Sequence, residues 1–265
     1  MASRNNTGSC SRRPEVMAAG RQRGFSLLEL MIGVCLSTLL LSGVVQLVSG
    51  SVAAYRLQLG LGQMQDSGRY ARDVLLSHIG QSGFQPQPWL NPSGFPALTA
   101  ESVDGGASAA DQLGLQRWSR QNCYGNANPV SDSDGRPAFY LLRTRFSVNA
   151  SNNLAFKCEY GPDASSLQTQ VNNFGLVEDV ESLQVLYAED RNGDGVADAW
   201  VKAGAWLQES NIRAVRLALL LSTQQAFDRP VSTDLTLLDQ AFTTPADGHL
   251  RSVWTLTAAI RGRLR

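Results

Sequence analysis

The chain has 265 residues, 23 basic and 23 acidic, two histidines and four cysteines, and 43% of it is hydrophobic. That length suits one domain plus an appendage. The balanced charge gives no support for a general nucleic-acid binder, and two histidines without CxH or HExxH spacing exclude the common histidine-based metal motifs.

Residues 1–24 read as a basic leader with five arginines and one glutamate, closing on Gly24. Met17 offers a second start, from which the leader would read MAAGRQRG; residues 1–16, Cys10 included, would then not belong to the protein. Without the leader the chain carries 18 basic and 22 acidic residues, net −4, which further weighs against nucleic acid as a partner.

Residues 25–53 form the next segment. Phe25 opens an apolar run, Glu29 interrupts it, and no charge follows from Leu30 to Ala54. The run is long enough to cross a bilayer as a helix. A charge in such a segment costs about 2.5–3.5 kcal/mol on insertion scales and marks a functional site by default. The plainer reading is a signal anchor that tolerates one acid near its end. Arg21 and Arg23 hold that end in the cytoplasm and send everything after Tyr55 across the membrane.

Residues 54–83 continue as an amphipathic helix. Leu57, Leu61, Met64, Gly68, Ala71, Leu75 and Ile79 recur at spacings of three and four, with Arg56, Gln63, Asp66, Arg69, Arg72 and Asp73 on the other faces. No proline interrupts the chain between Pro14 and Pro86.

Residues 84–265 read as an exported domain. A breaker-rich connector, 84–110, comes first. Strand signals follow at Leu113–Trp118, Phe139–Ser147, Leu154–Cys158, Val180–Ala188, Ile212–Ser222 and Arg251–Ile260, separated by turns such as Ser131–Gly135 and Asn149–Asn153. One long helix followed by a run of strands argues for an α+β fold, the helix packed on an antiparallel β-sheet domain.

Cysteine use agrees with export. Cys35 lies in the apolar helix as a small hydrophobe, leaving Cys123 and Cys158 in the exported part. A disulfide is their simplest reading; two free thiols or half a metal site are the alternatives.

Asp190-Arg-Asn192-Gly-Asp194-Gly195-Val196-Ala-Asp198 places oxygen-bearing side chains at positions 1, 3, 5 and 9 of a loop, with glycine at 6 and the Val196 carbonyl at 7. That is the front half of a calcium loop, without the bidentate glutamate at position 12, where Val201 stands. The alternatives are a calcium ion on Asp190, Asn192, Asp194, Val196 and Asp198, or a polar hairpin turn between two strands. No cofactor is otherwise required. Trp89, Trp118, Trp200, Trp206 and Trp254 read as packing residues. Arg261, Arg263 and Arg265 read as the solvated end of an edge strand, or as a contact for DNA or an acidic partner.

GFSLLELMIGV resembles the class III signal of type IV prepilins and type II secretion pseudopilins. The resemblance implies that a prepilin peptidase cuts after Gly24 and methylates the new amino terminus at Phe25. It further implies that Glu29 neutralises the amine of a neighbouring subunit. The stretch from Glu181 to Trp200, the strand NIRAVRLALLLS and the closing RSVWTLTAAIRGRLR are similar to PilW-type minor pilins, which the Cys123/Cys158 pair also fits. Some secretion pseudopilins carry calcium in this part of the sheet domain.

The resemblance implies a structural, non-enzymatic pilus protein with a pilin-like fold. It would be held in the inner membrane by one span, with the rest in the periplasm, and would join the pilus after processing. Its partners would be other minor pilins, the major pilin, the prepilin peptidase and the inner-membrane assembly platform. The rivals are a J-type minor pseudopilin of type II secretion, and a tip-displayed adhesin or DNA-binding module, which a basic, aromatic-lined groove would favour.

Overall fold

Leu27–Gln81 forms one α-helix, α1, of 55 residues in the computed structural model, which describes residues 24–90, 95–106, 109–227 and 232–263. The leader apart from Gly24 lies outside the described residues, as does Arg265. The chain divides into two units, Met1–Ala53 and Ala54–Arg265.

In the first unit every described side chain is exposed. The segment is long and apolar enough to cross a membrane. Five of its hydroxyls cause no conflict with an apolar surrounding, because they close on the helix itself. Ser37, Thr38 and Ser42 donate to carbonyls three residues back, and Ser49 and Ser51 to carbonyls four back, all at 2.8–2.9 Å.

In the second unit α1 has one buried stripe, Met64, Gly68, Ala71, Leu75 and Ile79. Leu57 and Leu61, which share that phase in the sequence, stay more than a third exposed. Gly68 is required by a close approach: a Cβ there would stand 2.6 Å from the Trp254 ring.

Among the described residues ten strands follow: β1 Leu113–Ser119, β2 Tyr140–Val148, β3 Leu154–Gly161, β4 Gln168–Val177, β5 Val180–Glu189, β6 Ala199–Val201, β7 Ile212–Ser222, β8 Asp234–Leu237, β9 Gln240–Thr243 and β10 Arg251–Ala259. They make two four-stranded sheets, in the orders β1-β2-β3-β4 and β10-β7-β5-β6, and a β8-β9 hairpin. Every pairing is antiparallel. The fold is therefore α+β, a long N-terminal helix with antiparallel sheets.

The core joins the helix stripe to one face of each sheet. Leu113, Leu115 and Phe146 come from the first, and Leu183, Val185, Tyr187, Leu217 and Leu219 from the second. β7 is buried on both faces. Val215, Leu217, Leu219 and Leu221 join the main core, while Ala218 and Leu220 pack with Leu237 of β8 in a second cluster. A strand covered on both sides reads as an unbroken apolar run, and LALLLS is one.

Three segments differ from the sequence expectation. β4 carries no strand pattern because it is an edge strand with mostly exposed polar residues, kinked where Asn173 takes φ 51°. The β8-β9 hairpin is only four residues a side, too short for a periodic signal. Trp89 does not pack in the core; it is 72% exposed.

Candidate functional site

The N-terminal signal sits at the start of α1. Ser26 accepts the first helical bond, from Leu30 N–H at 3.1 Å. Glu29 then falls in the first turn, where the exposed N–H groups favour a carboxylate. Around it Phe25, Leu27, Leu28, Leu30 and Ile32 are all more than half exposed. Glu29 is the only charged residue between Phe25 and Ala54, so this surface offers one anion within an uncovered apolar wall. Burial of that wall against lipid or other helices is what its composition favours.

Cys123 and Cys158 are joined, with Cα atoms 5.9 Å apart. Cys158 lies on β3 and is fully buried, and Cys123 lies on the loop after β1. That loop is also tied to β4. Cys123 N–H donates to Gln170 Oε1 at 3.0 Å, and Tyr124 O–H to the Gln170 carbonyl at 2.8 Å.

The Asp190–Asp198 loop connects β5 to β6, with Glu189 opposite Ala199. Its side chains close on its own backbone. Asp190 accepts from Gly193 N–H at 2.7 Å and from Gly195 N–H at 3.0 Å, both glycines having positive φ. Asp194 accepts from Val196 N–H at 2.7 Å, and Asp198 from Arg191 N–H at 2.7 Å. Asn192 Nδ2 bridges Asp194 at 3.2 Å and Asp198 at 3.4 Å.

Asp190 is fully buried and faces Arg213 of β7, whose Nε and terminal nitrogen both lie 3.1 Å from Oδ2. Burial alone would raise the Asp190 carboxyl; the two N–H donors and the Arg213 guanidinium outweigh it and hold the group below the usual carboxylate range. The guanidinium thus supplies a positive charge to the loop's first acidic position. Among the described residues no group of three or more His, Cys, Asp or Glu side chains is gathered as for a metal ion. The loop is closed by hydrogen bonds to its own backbone and by Arg213.

Sequence reasoning missed Glu189, which is fully buried. It accepts from Leu207 N–H at 2.6 Å, Gln208 N–H at 3.0 Å and Arg191 Nε at 3.1 Å. The two neighbouring acids therefore fix the loops on either side of β6. The available signal was Arg191, a cation two residues from an acid that closes an apolar strand, and it pairs with Glu189 at 3.1 Å.

The model of the Type IV Pilus-assembly protein W family matches residues 145–262, and that of the prokaryotic N-terminal methylation motif matches residues 20–45. Residues 145–262 are thus similar to the pilus-assembly protein W family, and residues 20–45 carry the methylation motif of prepilins. The first match spans β3 to β10 with the buried acids, and the second holds Gly24, Phe25 and Glu29. A type IV-like pilin from Thermus thermophilus is similar in structure, with a TM-score of 0.47, 22% identity, and coverage of 76% of this chain and 97% of that one. No curated protein matches the chain in sequence. The matched family is a structural, non-enzymatic one, and the methylation motif links the chain to pilus components and to a prepilin peptidase in general.

Proposed function

We propose that this protein is a minor pilin that takes part in the initiation and assembly of a type IV pilus, without enzymatic activity. One observation carries the reading: Glu29 is the single charge on an exposed apolar helix that opens directly after the Gly24–Phe25 junction. Cleavage after Gly24 and methylation at Phe25 leave a cationic amine at the head of the helix. When helices bundle, an amine in low dielectric needs an anion, and Glu29 of the adjacent subunit supplies it. Before assembly the helix anchors the protein in the inner membrane, with residues 54–265 in the periplasm. The sheet domain then selects the neighbours, namely other minor pilins and the major pilin, on the inner-membrane platform.

Replacement of Glu29 tests this. Glu29→Ala should still insert and be processed, because an apolar residue enters the membrane more readily than an acid. It should assemble poorly, with piliation well below wild type in a clean replacement strain. Normal piliation would show that Glu29 does not neutralise the neighbour's amine. Loss of secretion with intact pili would instead assign the chain to a type II secretion machine as a J-type pseudopilin.

A further inference from the structure

A cleft of about 680 Å³ opens between the end of α1, the loops flanking β1 and the last turn of the chain. Three aromatic rings and three arginines line it: Phe84, Trp118, Phe139, Arg117, Arg120 and Arg261. Its walls are fixed. Gly262 sits so close to the 82–84 backbone that a Cβ would stand 2.5 Å from the Ser82 carbonyl oxygen. The loop after β1 is held by the Cys123–Cys158 bridge.

The three charges are not equivalent. Arg120 is satisfied: it pairs with Asp132 at 2.7 Å, donates to the Pro137 carbonyl and lies 4.1 Å over the Phe139 ring. Arg117 is half-buried and, among the described residues, donates only to the neutral amide oxygen of Gln81. Burial pushes its guanidinium below the usual arginine range. Arg261 is exposed. Among the described residues no carboxylate pairs with Arg117 or Arg261. A partly desolvated cation with only a neutral acceptor is one that an incoming carboxylate would stabilise, through a planar two-point contact. Phe84, 43% exposed, and Phe139, with ring centroids 6.0 Å apart, give an apolar seat beside it.

We infer that this cleft is a docking site for an acidic segment of a neighbouring subunit, one that presents a carboxylate next to an aromatic or aliphatic side chain. Charge complementarity selects that occupant over a nucleic acid. Two uncommitted arginines neutralise about two phosphates, which gives a salt slope of only about −1.4 on a single strand. A protein with net charge −4 after its leader also repels a polyanion more strongly than a single carboxylate. The inference rests on the pilus-subunit reading only for the source of the segment.

The test uses the full chain in detergent micelles and a fluorescein-labelled peptide, Ser-Asp-Phe-Asp-Ser, against its twin with Asn for Asp. The acidic peptide should bind at least tenfold more tightly than the twin. Arg117→Gln and Arg261→Gln should each weaken it about tenfold, or about 1.4 kcal/mol, while Arg56→Gln, on α1 away from the cleft, should not. Arg261 is exposed, so its variant keeps the test valid even if Arg117→Gln unfolds. Equal binding of the two peptides, or indifference to both variants, overturns the inference. So does displacement of the peptide by oligothymidylate, which would make the cleft a nucleic-acid face. None of these readouts depends on processing or assembly, so their failure leaves the pilus reading standing.

Discussion

His78 and Asp111 are buried titratable groups whose shifts have opposite consequences. His78 sits edge-on to Phe146 and Phe156, with ring centroids 5.2 and 5.4 Å away. Burial first, and then the Arg117 charge, lowers it from 6.5 to about 4. Between those values the unfolded chain binds a proton that the folded chain refuses, so stability falls as pH drops from 6.5 to about 4. Asp111 ties the connector to β5, accepting Gly105 N–H and Val185 N–H, each at 2.7 Å. Burial raises it from 3.8 to about 6 despite those donors. In this case the folded chain holds the proton longer, so its contribution is full below pH 3.8 and is lost as pH rises through about 6. Melting curves across pH 4 to 7, about the span of both shifts, should separate the two. His78→Gln should flatten the acid-side loss, and Asp111→Asn should remove the opposing slope. An unchanged profile in both variants would mean that neither group is buried as described.

Among the elements, the legible ones are those whose burial pattern is regular. The helix stripe from Met64 to Ile79 repeats at helical spacing, and the buried strands β5 and β7 stand out as apolar runs. β4 was illegible because an exposed edge strand has no buried face to impose alternation on its residues. The Asp190–Asp198 loop was legible as a turn and ambiguous as a metal site, since the same oxygens serve a cation or backbone N–H groups. What decides its local structure is Arg213, 23 residues from Asp190 in sequence, and no local motif reveals that partner. The aromatic cleft was illegible for the same reason: its lining comes from four separate segments. For the loop, the expected outcome is a melting temperature that calcium or a chelator leaves unchanged. A calcium-dependent rise that vanishes in Asp194→Ala would show a cation seated on Asn192, Asp194 and Asp198.

The whole molecule combines an uncovered apolar helix segment with a disulfide-tied sheet domain whose buried acids are all partnered. Residues 25–53 are exposed throughout, so their apolar surface is left uncovered. Lipid or neighbouring helices are the covers that its composition admits. The intact mass of the chain extracted from sheared fibres tests this most directly. The account predicts a mature protein that begins at Phe25 with a methylated amine, and a full-length precursor in the membrane fraction for Gly24→Val. A wild-type chain found in the assembled fibre with its leader still attached would contradict it.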